Sequence, residues 1–443
     1  MEHHHRAGAS TGPRTAAPAA LTPARLLRGL FDEAVASVSA ETALRHAPEL
    51  TPGPGRNVII ALGKAAAAMA AIAARRFDGR AEGLVITRRG HAGPPHLLPP
   101  GLRVIEAGHP VPDERSIEAA RAALDIVGGL TARDRVFALI SGGGSALMAL
   151  PAVGVTLADK QATTQMLLRS GATIAEINSV RKHLSAVKGG RLAVAAAPAH
   201  VTTLIISDVP GDDPSFVASG PTVADQTTLA MACEIIERYR IDAPESVRAA
   251  LNRAENETPP SDALGIAGGS VRLVAVARDA LTAATRFALA QGYKVTDLGD
   301  HLQAEARHLG GGHAALARRL SADGAPRVIL SGGETTVRVT NPEGRGGRNL
   351  EYLLGLALAL DGAPRIHAIA CDTDGVDGTE NNAGGLIGPD TLVRARALGL
   401  DAQQALATNT AYDYFAALGD LVVTGPTRTN VNDFRAILIE AGE

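Results

Sequence analysis

Aromatic side chains are scarce in this chain. They make up 3% of the 443 residues, and tryptophan is absent. Stacking surfaces for single-stranded nucleic acid are built from exposed rings, so such a partner is not expected. The formal net charge of −3 supplies no basic footprint for DNA or RNA either. Two cysteines, Cys233 and Cys371, cannot form a disulfide framework, and a reducing compartment, the cytoplasm, is the expected location. No apolar run reaches the roughly 18 residues that a membrane span requires. Residues 1–20 contain three histidines and many small residues but no long apolar segment of the secretory kind, and read as a flexible tail.

What the chain does have is a hydrophobic fraction of 46%, mostly Ala, Leu and Val. Short apolar runs alternate with amphipathic stretches. Asn57–Leu62 (NVIIAL), Gly83–Thr87, Leu102–Glu106, Arg135–Ile140 (RVFALI) and Val201–Ile206 read as strands. Ser116–Val127, Leu157–Ser170 and Ile174–Ser185 read as helices. Strands separated by helices imply βαβ units and a mostly parallel sheet. The pattern breaks near Glu255–Gly269, where prolines and glycines cluster, and then resumes. Two α/β domains are expected after the tail, spanning 21–260 and 261–443, with the cleft between them as the default ligand site.

Open parallel sheets bind ligands at the carboxyl ends of their strands. Four polar loops fall there: Gly63-Lys64, Ser141-Gly142-Gly143-Gly144-Ser145, Ser207–Asp213 and Asp372–Asp377. The glycine-rich loop suits an oxyanion, because bare backbone lets N–H groups come close; it also suits an ordinary tight turn. Neither common nucleotide signature is present. Around Gly63-Lys64, Val58 takes the first glycine position of a Walker A loop and Ala65 replaces its metal-binding hydroxyl. After Gly142, Leu147 occupies the third position of a dinucleotide fingerprint. Lys64 lies where a strand becomes a helix, among apolar neighbours, and can aim an ammonium at an anion. Asp208, Asp212 and Asp213, and again Asp372, Asp374 and Asp377, offer oxygen ligands for Mg²⁺ or a base toward a hydroxyl. The same residues are also common turn formers. Gly344–Asn349 (GRGGRN) sets Arg345 and Arg348 at a helix start, a plausible phosphate clamp. Glu334 follows Ser331-Gly332-Gly333, and Asn430 closes the polar loop Thr424–Asn430. His109 reads as structural.

In order along the chain, these segments resemble the class II glycerate kinases, the family with a C-terminal MOFRL domain. The segments are GKAAAAMA at Gly63–Ala70, GHPVPDERS at Gly108–Ser116, ISGGGSAL at Ile140–Leu147 and NSVRKHLSAVKGGRLA at Asn178–Ala193. SDVPGDDPSFVASGPT at Ser207–Thr222, LSGGETTV at Leu330–Val337, GRGGRNLE at Gly344–Glu351, DTDGVDG at Asp372–Gly378 and TGPTRTNVND at Thr424–Asp433 complete the set. The resemblance implies a Rossmann-like N-terminal domain with a parallel sheet, facing a smaller α/β domain. It implies ATP-dependent phosphorylation of D-glycerate to 2-phosphoglycerate, with Mg²⁺, by a monomer or homodimer. Lys64 and Arg348 are then catalytic. Ser141 to Ser145, Glu334 and Asn430 bind the nucleotide, and Asp208 and Asp374 hold the metal. Leu350 departs from the family pattern, which has Gln there. Some members carry the name hydroxypyruvate reductase, an activity that the missing dinucleotide fingerprint argues against; a non-catalytic sugar-acid binding protein is a third reading. Loss of Lys64 or Arg348 is expected to spare the fold, since both sit in polar loops.

Overall fold

The computed structural model describes residues 21–77 and 81–442, so the tail expected at 1–20 lies outside the described residues. Among the described residues, twelve strands form two sheets. The first contains β1 (Asn57–Leu62), β2 (Ala81–Arg88), β3 (Leu102–Ala107), β4 (Arg135–Ile140), β5 (His200–Ile206) and β6 (Ser270–Ala275). Their order is β3-β2-β1-β4-β5-β6, and every pair is parallel. Helices cover both faces, so β1 is buried along its whole length and carries no polar alternation. The alanine-rich helix Ala66–Arg75 lies close against β1 and β2 on one face. Glu114–Val127 packs on β2 and β3 from the other, capped by Asp113 and Ser116 bonding reciprocally.

The second sheet runs β11-β10-β9-β12-β8-β7, from β7 (Lys294–Asp297), β8 (Arg327–Gly333), β9 (Ile366–Asp372), β10 (Gly384–Ile387), β11 (Leu421–Val422) and β12 (Asp433–Ile439). Only β7 and β8 are parallel. Strand β12 returns between β8 and β9 antiparallel to both, so helix–strand alternation does not make this sheet parallel. The helices Ala306–Ser321 and Arg348–Leu360 cover one face.

The boundary expected at 260/261 does not follow the packing. β6 pairs with β5 and is the edge of the first sheet, although it lies beyond the proline-rich break. Conversely, the helix Pro23–Ser37 packs on Ala277–Ala290, β12 and β9 of the second domain. Its apolar stripe, Leu26, Leu27, Leu30 and Phe31, is buried there, with Phe31 and Phe434 ring centroids 5.9 Å apart. The chain therefore crosses between domains twice. A small helical lobe is attached to the first domain by the segments between β4 and β6. In it Leu157–Ser170, Ile174–His183, Leu229–Arg238 and Glu245–Leu251 share a separate apolar core.

Candidate active site

In the first sheet the chain order reverses between β1 and β4, and ligands of doubly wound sheets bind outside the carboxyl ends of such a strand pair. Lys64 follows β1, and the loop Ser141–Ser145 follows β4. Gly63, at φ +118°, makes the turn possible, since a Cβ there would lie 2.4 Å from the Ser141 carbonyl oxygen. Lys64 N–H donates to the Gly142 carbonyl at 2.9 Å, fastening the two loops together.

The second domain meets them with the ends of three adjacent strands. Register places Asp433 opposite Gly333 on one side and Asp372 on the other. Three carboxylates, Glu334, Asp372 and Asp433, thereby gather at one sheet end. Arg348, the first residue of its helix, bonds all three: Glu334, Asp372 at 2.9 Å and Asp433 at 3.4 Å. Asp433, outweighing the cost of burial, holds the Arg348 guanidinium above its ordinary pKa, with Asp372 and Glu334 adding to the effect. The helix start is fixed from outside, as Asp377 accepts the Asn349 and Leu350 N–H groups, each at 3.0 Å.

The two halves touch through polar groups. Lys64 Nζ lies 2.5 Å from Asp374 Oδ2, and the side chains are 14% and 2% exposed, so water screens the pair little. Burial works to lower the Lys64 pKa, but Asp374, Asp372 and Asp208 outweigh it and raise it. Burial likewise works to raise Asp374, and Lys64 wins by lowering it. Asn430 Nδ2 donates to Asp208 Oδ2 at 2.8 Å across the same junction. Burial pushes the Asp208 carboxyl up to about 6, with Lys64 opposing and Glu334 reinforcing the shift. His109 lies over Gly143, and burial, then the Lys64 and Arg88 charges, push its imidazole down to about 4. Lys64, His109, Asp208, Glu334, Arg348, Asp372, Asp374 and Asn430 line a cleft of about 880 Å³ between the domains.

Comparison with known proteins gives this arrangement a family. Residues 26–252 match the family described as "Domain of unknown function (DUF4147)", and residues 327–433 match the MOFRL family. The chain is 38% identical over 383 residues to the D-glycerate 2-kinase of Thermotoga maritima, covering 85% of this chain and 89% of that protein. Its structure resembles the crystal structure of glycerate kinase from the same organism, with a TM-score of 0.82 at 36% identity over 94% of this chain and 99% of that one. The chain belongs to the class II glycerate kinase family. An Agrobacterium vitis relative, 54% identical over 94% of each chain, carries the name "Putative hydroxypyruvate reductase".

Against that family pattern, the cleft gathers Lys64, Gly143, Ser145, Asp208, Glu334, Arg348, Asp374 and Asn430. Three expected nucleotide-binding residues stand behind it. The Ser141 hydroxyl is occupied by the Ala65 N–H at 3.0 Å and by the Leu62 carbonyl at 3.4 Å. Gly142 is covered by Asp208, whose Oδ2 lies 1.8 Å from where a Cβ would be, and Gly144 is packed on Leu62 and Ala218. Asp377 caps a helix, Asp213 caps the Ser215 N–H at 2.8 Å, and Arg345 turns away to Asp413 and the Tyr412 ring. Leu350 is wholly buried, so the family's Gln position carries core here. Among the described residues, no group of three or more His, Cys, Asp or Glu side chains is arranged to hold a metal. Mg²⁺ bound beside phosphates uses one or two carboxylates and keeps waters, and Asp208 with Asp374 fits that donor set. Sequence reasoning missed Arg88, Arg181 and Asp433. Arg88 ends a strand with no motif to mark it; Arg181 and Asp433 lie within the quoted segments Asn178–Ala193 and Thr424–Asp433, but nothing in the sequence says that they face the same cleft end.

Proposed function

We propose that this chain transfers the γ-phosphoryl group of Mg-ATP to the 2-hydroxyl of D-glycerate in the cleft between its domains. The observation that carries the reading is the Lys64–Asp374 contact, which brings a buried cation of one domain to the acidic strand ends of the other at the switch point. Phosphoryl transfer asks the protein mainly for alignment and charge stabilisation. The 2-hydroxyl oxygen forms the new bond to phosphorus as the bond to the β–γ bridging oxygen breaks. ADP leaves, and the hydroxyl proton is released to solvent. Lys64 offers a compact charge to the transferring group. Arg348, held from behind by Glu334, Asp372 and Asp433, presents its planar fork in a fixed orientation. Asp208 and Asp374 would hold Mg²⁺, which supplies charge neutralisation for the phosphate oxygens. Asn430 orients Asp208. Gly143 and Ser145 are the parts of the glycine-rich loop that meet ligand.

A dinucleotide reductase is disfavoured by the same loop. The Asp208 carboxylate sits against Gly142, where a pyrophosphate would need open backbone N–H groups. The protein acts in the cytoplasm as a monomer or homodimer; no helix among the described residues is long and apolar enough to cross a membrane. Incubation with Mg-ATP and D-glycerate, with the product identified by NMR, tests the reading. 2-Phosphoglycerate and ADP are expected. NADH oxidation with hydroxypyruvate, without ATP turnover, would overturn it.

A further inference from the structure

Four cationic side chains line the cleft: Lys64, Arg88, Arg181 and Arg348. Two are already neutralised, Lys64 by Asp374 and Arg348 by its three acids. Both therefore meet a ligand with their charge already partly balanced. Arg88 and Arg181 differ. Among the described residues, neither guanidinium has a carboxylate partner or a hydrogen-bond acceptor.

Arg181 is the more exacting case. The groups packed behind it are lysines, not acids. Lys160 Nζ donates to the Arg181 carbonyl at 3.2 Å and to Leu184 O at 2.7 Å. Lys188, also buried, donates to Ser145 O at 2.8 Å, directly behind the glycine-rich loop. An arginine turned into a cleft with no acid to answer it is a site built for an anion.

The rest of its helix says which anion. Ile174 begins the same helix, seven residues earlier, which places it on the same face about 10 Å away. It lines the cleft and is 58% exposed. Leu168, at the end of the preceding helix, and Val339, from the other domain, line the same cleft and are 60% and 65% exposed. Large aliphatic side chains left open on both walls of one cleft suit a flat apolar ligand slid between them. An aliphatic rim, then a bare arginine about 10 Å on, then the Lys64–Asp374 pair, match a nucleoside triphosphate from base to γ-phosphate.

We propose that the nucleotide lies along the Ile174–His183 helix, its base between Leu168 and Ile174 on one side and Val339 on the other. Arg181 binds its phosphate chain. Arg88, at the end of β2 next to the β1 end that carries Lys64, receives the carboxylate of the acceptor. This orientation rests on the phosphotransferase reading above.

The experiment separates the two. Titration calorimetry of the full chain with Mg-ADP and with inorganic tripolyphosphate is combined with steady-state kinetics. Arg181→Ala is expected to weaken both ligands about tenfold or more, in line with one lost charged hydrogen bond, and to raise KM for ATP while leaving KM for glycerate. Arg181→Lys should restore part of that loss. Ile174→Asp and Leu168→Asp lie at exposed positions that the fold does not need. They should weaken Mg-ADP but leave tripolyphosphate binding intact. Arg88→Ala should raise KM for glycerate alone. An Arg181→Ala enzyme whose KM rises for glycerate and not for ATP would reverse the orientation. Equal loss of tripolyphosphate in the Ile174→Asp variant would remove the base from the rim. A wild-type protein that binds neither Mg-ADP nor tripolyphosphate would instead defeat the phosphotransferase reading itself.

Discussion

Removing the Lys64 ammonium would leave Asp374, Asp372 and Asp208 facing one another inside the protein without their common cation. Breaking a buried ion pair costs about 3–5 kcal/mol. Lys64→Ala is therefore expected to lose stability as well as activity, contrary to what its place in a polar loop suggests. Its kcat should fall about a hundredfold or more, the scale seen when a transition-state donor is lost. Lys64→Arg keeps the charge, so its melting temperature should stay near that of the wild type while kcat stays low. A Lys64→Ala protein with unchanged melting and full kcat would remove the residue from both roles. At Asp377 the expectation is the reverse. Its carboxylate satisfies two N–H groups at the start of the Arg348 helix. Asp377→Ala should cost about 1–2 kcal/mol by urea melts. Activity should suffer only as far as Arg348 loosens. The two aspartates stand three residues apart in one motif, and sequence alone offered both as metal or base candidates. What separates them is the partner each finds, Lys64 in one case and a helix N-terminus in the other, and both partners come from distant parts of the chain.

The helices Ala306–Ser321 and Arg348–Leu360 touch backbone to backbone. A Cβ at Gly310 would lie 2.4 Å from the Tyr352 carbonyl oxygen, and one at Gly355 would lie 2.5 Å from that of Arg307. Gly311 and Gly312, in the same glycine run, face open space. Gly310→Ala should thus force the helices apart and destabilise the protein. Gly311→Ala should stabilise it by roughly 0.5–1 kcal/mol, because glycine is a poor helix former. Thermal melts of the two variants that moved in the same direction would contradict the close crossing. Nearby, burial, with Arg435 adding to it, pushes the His313 imidazole down to about 4. Unfolded, it titrates near 6.5. In between, the unfolded chain holds more protons, so this contribution to stability is full above about pH 6.5 and is lost as pH falls toward about 4. His313→Gln should flatten that part of the stability profile, measured by urea unfolding across the window. Such elements were legible as elements: the apolar runs at 57–62 and 135–140 fall on the observed strands. Which sheet a strand joins was not legible. The 270–275 run looks the same whether it opens a new domain or completes the old one, and only pairing with β5 decides.

At the scale of the molecule, the cleft floor is already bridged by Lys64–Asp374 and Asn430–Asp208. Any closure over substrate must then pivot about that floor and bring in the rim at Leu168, Ile174 and Val339. Scattering curves of the free protein and of the protein with glycerate and a nonhydrolysable ATP analogue should differ by a small compaction. Exhaustive chelation should abolish turnover, and added Mg²⁺ should restore it. Full activity in EDTA would discard Asp208 and Asp374 as metal ligands. The helix Pro23–Ser37 belongs to the second domain by packing and precedes the first in sequence. Its resting place includes β12, some four hundred residues further along. On a ribosome, that helix emerges with Leu26, Leu27, Leu30 and Phe31 uncovered and keeps them so while the first sheet is made. Its burial is complete only once residues 433–439 are out, and those residues also bring Asp433 to Arg348. A chain terminated before residue 433 would consequently leave part of that apolar stripe uncovered and Arg348 without Asp433, which makes it a target for chaperones and proteases.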